Sequence, residues 1–142
     1  MSSDAPVVFK ITSVPVIESP DGTMRDSVMV TNETCGARQY TAGLFWVKPG
    51  TRGHEDSHPG QEELYYIFEG RGQVVIDGTP HRIEAGDVVF IADGRAHYLI
   101  NDGDRTLGLF WALPKSWDQL PEIQRELARW REVKPGSAWG AT

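Results

Sequence analysis

At 142 residues, 39% of them hydrophobic, the chain has the length of one domain and enough apolar material for a core without disulfides; Cys35 is the only cysteine and has no partner in the chain. A formal net charge of -6, from 14 basic and 20 acidic residues with no basic stripe, speaks against nucleic acid as a partner. No apolar run approaches the ~20 residues of a membrane span, and the opening residues lack a basic-then-apolar leader pattern, so no membrane association is expected and a cytoplasmic protein is.

Residues 1–6 are small, polar and Pro-ended, and are expected to fray. V-V-F-K-I (Val7 to Ile11) and V-P-V-I (Val14 to Ile17) are short and β-branched, and Pro15 withholds a ladder donor, so both are predicted as edge strands. After the turn S-P-D-G, a strand is predicted from Arg25 to Val30, and the long apolar run from Tyr40 to Val47 reads as a strand covered on both faces. Leu64 to Phe68 and Gln73 to Ile76 are further strands; Asp77-Gly78 between apolar runs signals a hairpin into a short strand and turn over Thr79 to Asp87. Val88 to Ile91, the run from His97 to Asn101 and Leu107 to Leu113 complete the series. Short strands parted by Gly, Asp and Pro turns at intervals near ten residues predict an all-β closed or sandwiched antiparallel domain. Only the tail departs: Leu120, Ile123, Leu127 and Trp130 recur at helical spacing, with Pro121 in the first turn and Ser116 and Gln119 as a capping box. The predicted helix, about 116–133, lays its stripe on the outside of a barrel spanning about 7–113, the whole chain forming a single domain.

The stretch from Gly50 to Gly70 concentrates His54, Asp56, His58 and Glu63 between a glycine-rich turn and an apolar strand, a density of imidazole and carboxylate that points to a metal site. Gly50, five residues, Asp56-x-His58, four residues, Glu63, six residues and Gly70 follow one another in order; Gly86, five residues, Ala92-x-Gly94, two residues, His97, three residues and Asn101 follow later. These two runs resemble the paired motifs of the cupin superfamily, G-x5-H-x-H-x(3,4)-E-x6-G and G-x5-P-x-G-x2-H-x3-N. Asp56 stands where the first histidine is usual and Ala92 where proline is usual. The resemblance implies a double-stranded β-helix, or jelly-roll, barrel with a short C-terminal helix, and assigns Asp56, His58, Glu63 and His97 as the metal-binding set. It also implies a homodimer, for which N-terminal strands adding to the partner's sheet are the expected means.

If residues 56–58 are strand, Asp56 and His58 share a face, and Glu63 and His97 arrive from neighbouring strands. Two imidazoles with two carboxylates favour Fe(II) or Mn(II), with Ni and Zn also compatible. Asp56 reads as a fourth ligand, as a general base beside a three-ligand metal, or as a sign of weakened metal binding. His54 is a second ligand or proton-transfer candidate, and Tyr65, sharing Glu63's parity, is a third catalytic candidate beside Asp56. His81 reads as structural, Leu99 as pocket lining, and Arg38 and Arg52 as surface groups at strand mouths. One member of each pair Phe45/Trp46 and Phe110/Trp111 must face inward, where core packing is the first reading for most of them and a pocket shaped for a planar substrate the second. The function expected is a metal-dependent enzyme acting on a small oxygenated molecule, foremost an Fe(II)-type dioxygenase. The alternatives are a redox-neutral isomerase, lyase or polyketide-cyclase-like enzyme and a non-catalytic binder of a sugar-like ligand.

Overall fold

The structure, a computed structural model, describes residues 7–134. Eleven strands form two sheets among these residues: β1 (Val16–Glu18), β2 (Met24–Val30), β3 (Thr41–Val47), β4 (Thr51–Arg52), β5 (Glu63–Glu69), β6 (Arg71–Ile76), β7 (Thr79–Glu84), β8 (Val88–Ile91), β9 (His97–Asn101), β10 (Leu107–Leu113) and β11 (Arg131–Val133). The larger sheet runs β11-β1-β2-β3-β10-β5-β8 and the smaller β4-β9-β6-β7, with every named pairing antiparallel. Val47, Ile67, Val74, Leu99, Leu107 and Leu109 fill the space between the sheets. The mostly-β jelly-roll architecture with one short C-terminal helix is the one expected.

The turn chemistry explains the pairing. Asp77 and Gly78 have φ of 48° and 82°, the positive values that a two-residue hairpin matched to strand twist requires, and β6 pairs with β7 from Ile76↔Thr79 to Arg71↔Glu84. Gly43 on β3 has a different role. A Cβ there would sit 2.3 Å from the Ser27 carbonyl oxygen and 3.1 Å from Trp111 Cζ2, so the missing side chain lets the Trp111 indole lie across β3.

Two expectations are corrected at the ends. Val7 to Ile11 is not a strand: Val7 is 96% exposed, and Ser13 donates from both its backbone N–H and its hydroxyl to Lys10 O, closing a 3-10 turn over Ile11–Ser13. Strand structure begins only after Pro15, and β1 is no edge, because β2 and β11 flank it.

The tail helix is also shorter than its apolar stripe suggests. A 3-10 turn (Trp117–Gln119) leads into α1 (Pro121–Leu127), after which the chain returns to the sheet as β11. The returning strand is tied to β1 at a distant residue: buried Glu18 accepts hydrogen bonds from the Arg25 and Arg131 guanidiniums. Desolvation alone would raise the Glu18 pKa, but these two guanidiniums outweigh it and hold it below the usual range. Ser116 makes no capping bond, since its hydroxyl donates to Asp118 instead. The stripe does not lie on the outer surface: Leu120 joins the core, and Ile123, Leu127 and Trp130 wall a cavity at the barrel mouth.

Candidate metal centre

Glu63 opens β5 and, by strand alternation, shares its buried face with Tyr65 and Ile67, while Leu64, Tyr66 and Phe68 point outward. His97 opens β9 and is held at three points. Its backbone exchanges two hydrogen bonds of 2.8 Å with Asp56, and its ring Nδ1–H donates to Arg95 O at 2.9 Å. An imidazole donating from Nδ1 to a carbonyl presents Nε2 to the site, the arrangement usual for metal-ligating histidines. His58 is placed by a tight turn: Gln61 N–H donates to His58 O at 3.0 Å, and Gly60 N–H donates to Asp93 Oδ1 at 2.7 Å, tying this loop to the β8–β9 turn.

The result is convergence. His97 Nε2 lies 3.0 Å and His58 Nε2 3.6 Å from Glu63 Oε1, and one ligand atom from each of the three residues lies within 4.8 Å of the others. Two imidazoles and a carboxylate converging beside a cavity fit a divalent first-row ion, and the Arg95 anchor already selects the tautomer a ligand needs. Burial opposes protonation of His97, but the hydrogen bond and charge of Glu63 outweigh it and raise the imidazole's pKa. Burial, with Glu63 and Asp56 nearby, pushes the Tyr65 phenol well above its usual value; it remains neutral and donates to Glu63 Oε1 at 3.4 Å.

The remaining predicted residues occupy the rim. Residues 56–58 are not a strand, because only Asp56 makes a β-bridge before the Pro59–Gly60 turn, so the parity argument for Asp56 and His58 does not apply. The Asp56 side chain is 66% exposed, with Oδ2 3.8 Å from His58 Nε2, and it lies outside the three-residue group. His54, 56% exposed at the cavity mouth, pairs with Asp21 Oδ2 at 3.1 Å and is not one of the converging donors. His81 and Arg38 are exposed, and Arg52 stacks its guanidinium 4.1 Å from the Tyr98 ring centroid.

The donors open onto a cavity of about 490 Å³, lined in its apolar part by Phe45, Leu109, Trp111, Ile123, Leu127 and Trp130. Of the aromatic pairs, Phe45 and Trp111 face in, whereas Phe110 is exposed and Trp46 packs edge-on against Phe68. One cavity group went unread in the sequence: Asp26 of β2, 6% exposed, whose Oδ1 accepts a hydrogen bond from Trp111 Nε1 at 3.1 Å. An acidic residue sharing the parity of Met24 and Val28 was its only sequence signal.

Comparison with known proteins agrees with this geometry. The family described as Cupin domain matches residues 43–113, from β3 through β10. Protein SchB of Streptomyces halstedii is 34% identical over 76 residues, which cover 54% of this chain and 55% of that protein. Polyketide synthase CurC of Streptomyces cyaneus is 31% identical over 104 residues, covering 73% of this chain and 66% of its own. The chain therefore spans between about half and two-thirds of these relatives' lengths. The crystal structure of a protein described as a predicted oxalate decarboxylase from Thermotoga maritima superposes with a TM-score of 0.67 at 24% identity, over 77% of this chain and 99% of that one, a likeness of fold. With half of its length matched by the family and the paired motifs realised as facing donors in a two-sheet barrel, this chain belongs to the cupin-domain family.

Proposed function

We propose that the protein is a metal-dependent enzyme acting on a small oxygenated organic molecule, with His58, Glu63 and His97 holding a divalent ion, Fe(II) or Mn(II) foremost. The observation that carries this reading is the three-donor convergence within 4.8 Å at the wall of a cavity of substrate size. Such an ion supplies Lewis acidity and, as Fe(II) in a two-histidine, one-carboxylate set, reactivity toward dioxygen. The chain's own residues do the rest. Tyr65 orients Glu63 through its hydroxyl, Asp56 at the rim exchanges a proton with the bound molecule and with solvent, and the aromatic wall holds the substrate's body against water.

The two-histidine, one-carboxylate set favours dioxygenase chemistry. A redox-neutral reaction is the second reading, supported by the similarity to a polyketide synthase protein and by the apolar, aromatic-walled cavity. Oxygen consumption separates them. Protein loaded with Fe(II) and given an enediol, diketone or catechol is expected to take up dioxygen; turnover without uptake transfers the proposal to the redox-neutral class. Protein that retains no divalent ion on titration overturns both.

The expected homodimer is proposed to form elsewhere than through residues 7–17. Leu64, Tyr66 and Phe68 of β5, Val88 and Phe90 of β8 and Phe110 of β10 expose one apolar face beside β8, a terminal strand of its sheet. A second copy covering this face gives a dimer in sedimentation; the double change Phe90→Glu, Phe110→Glu should yield a monomer with unaltered metal content. A double variant that still sediments as a dimer excludes this face.

A further inference from the structure

The cavity beside the three donors is one-sided in charge. Its walls and mouth carry Asp26, Glu55, Asp56, Glu63, Glu122 and Glu126, and none of its described lining residues is a lysine or arginine. Residues 1–6 and 135–142 contain no lysine or arginine to add. The arginines that come near in the chain are engaged elsewhere. Arg25 follows strand alternation to the opposite face of β2 from Asp26, where it bonds Glu18 together with Arg131. Arg95 pairs with Asp77 at 2.6 Å, and Arg52 covers the ring of Tyr98, which alternates with the inward His97 and Leu99. On and beyond α1, Arg125 does not line the cavity and Arg129 lies 3.6 Å from Glu126, whereas Glu122 enters no ion pair among the described residues.

Positive charge in this cavity is therefore confined to its metal end. His58, His97 and an ion held with Glu63 can meet one anionic group. The rest of the wall is apolar, with Phe45, Trp111, Ile123 and Leu127, or acidic. In either protonation state Asp26 gives an anion no counter-charge; burial raises its pKa to about 8, outweighing the Trp111 hydrogen bond, and the charge of Glu63 adds to the rise. An anion moved from water into such a space without a partner is costly, and a cleft whose rim bears one sign of charge repels its like before entry.

We infer that the cavity selects its ligand by charge: one end of the ligand meets the metal donors, and the remainder is neutral or cationic and bears no carboxylate, phosphate or sulfate. Glu122 and Glu126 of α1 are the specificity-determining residues at the rim, through their charge and without touching the reacting atoms. The inference rests on the reading that this cavity receives the substrate. It narrows that reading from a small oxygenated molecule to one without a second anionic group, which sets dicarboxylates and sugar phosphates aside.

The probes share one dihydroxylated ring and differ in the tail: dopamine carries a cationic tail, 4-ethylcatechol a neutral one and 3,4-dihydroxyphenylacetate an anionic one. Each is titrated calorimetrically, in the absence of dioxygen, into protein loaded with Mn(II) to a measured content and into protein stripped of metal. Dopamine and 4-ethylcatechol should each bind at least about tenfold more tightly than 3,4-dihydroxyphenylacetate at low salt. The gap between dopamine and the anion should shrink at about 0.5 M salt. The double change Glu122→Gln, Glu126→Gln should narrow that gap about threefold and leave 4-ethylcatechol unchanged, and Glu122→Lys, at an exposed position, should narrow it further. Equal affinities of the three probes for the wild type, a preference for the anion, or a gap that both variants leave intact overturns the inference, as does failure of all three to bind. Protein that retains no Mn(II) but keeps the order of the probes sustains the charge selection while refuting the metal-dependent reading; protein that retains Mn(II) and binds the three alike does the reverse.

Discussion

His97→Ala is expected to lower metal affinity at least about 100-fold and to abolish turnover with it, as read by elemental analysis of the purified protein and by activity after metal loading. Partners that merely orient ligands cost 10- to 100-fold when removed, and His97 is one of the donors themselves. The imidazole is 5% exposed, its Nδ1 is anchored on Arg95 O, and its Nε2 faces Glu63 Oε1 at 3.0 Å, so truncation leaves a buried carboxylate with His58 alone. Asp56→Ala provides the contrast. With its side chain 66% exposed and outside the converging group, Asp56 is expected to be dispensable for metal retention but to reduce turnover. Loss of the metal from Asp56→Ala would instead establish it as a fourth ligand.

Asp26→Asn should raise stability at neutral and alkaline pH, an effect of opposite direction. A carboxyl whose value moves from 3.8 in the unfolded chain to about 8 in the folded one binds its proton more tightly when folded. Its contribution to stability is therefore fully present below about pH 4 and is lost as pH rises through the folded value near 8. By pH 7 the folded state has forgone on the order of 4 kcal/mol relative to a group that does not titrate. Asparagine matches the shape and still accepts from Trp111 Nε1 without that penalty. Melting curves should show the two proteins nearly equal at pH 4, with the variant higher by roughly 10 °C at pH 8. Parallel pH profiles for the two proteins would mean that Asp26 is ionised in the folded state.

The sequence was most legible where structure depends on neighbours in the chain. Asp77-Gly78 specified its hairpin, and the alternation from Glu63 to Phe68 named the inward residues correctly, because strand parity and turn dihedrals are local properties. The spacing of His58, Glu63 and His97 was readable because it is carried by the cupin motifs. Long-range causes were hidden. R-E-V at 131–133 pairs as a strand with β1, where Arg131 also meets Glu18, 113 residues earlier. The inward position of Asp26 depends on Gly43 making room for an indole from a third strand, a relation no periodicity encodes. The parity assumed for Asp56 and His58 failed because the Pro59–Gly60 turn interrupts the backbone before a strand is established.

The family segment ends at Leu113, whereas Ile123, Leu127 and Trp130, which wall one side of the cavity, come from the chain beyond it. The donors lie within the hydrogen-bonded barrel, and this wall lies outside it, fastened by Thr41 Oγ1 donating to Lys115 O at one end and by β11 at the other. The three converging donors and part of the cavity wall, Phe45, Leu109 and Trp111, therefore lie inside the family segment, and the rest of the wall lies outside it. Ile123 and Leu127 of α1 reach the cavity from outside the barrel that carries His58, Glu63 and His97, so their substitution is expected to change the shape of the cavity and leave the spacing of those three donors intact.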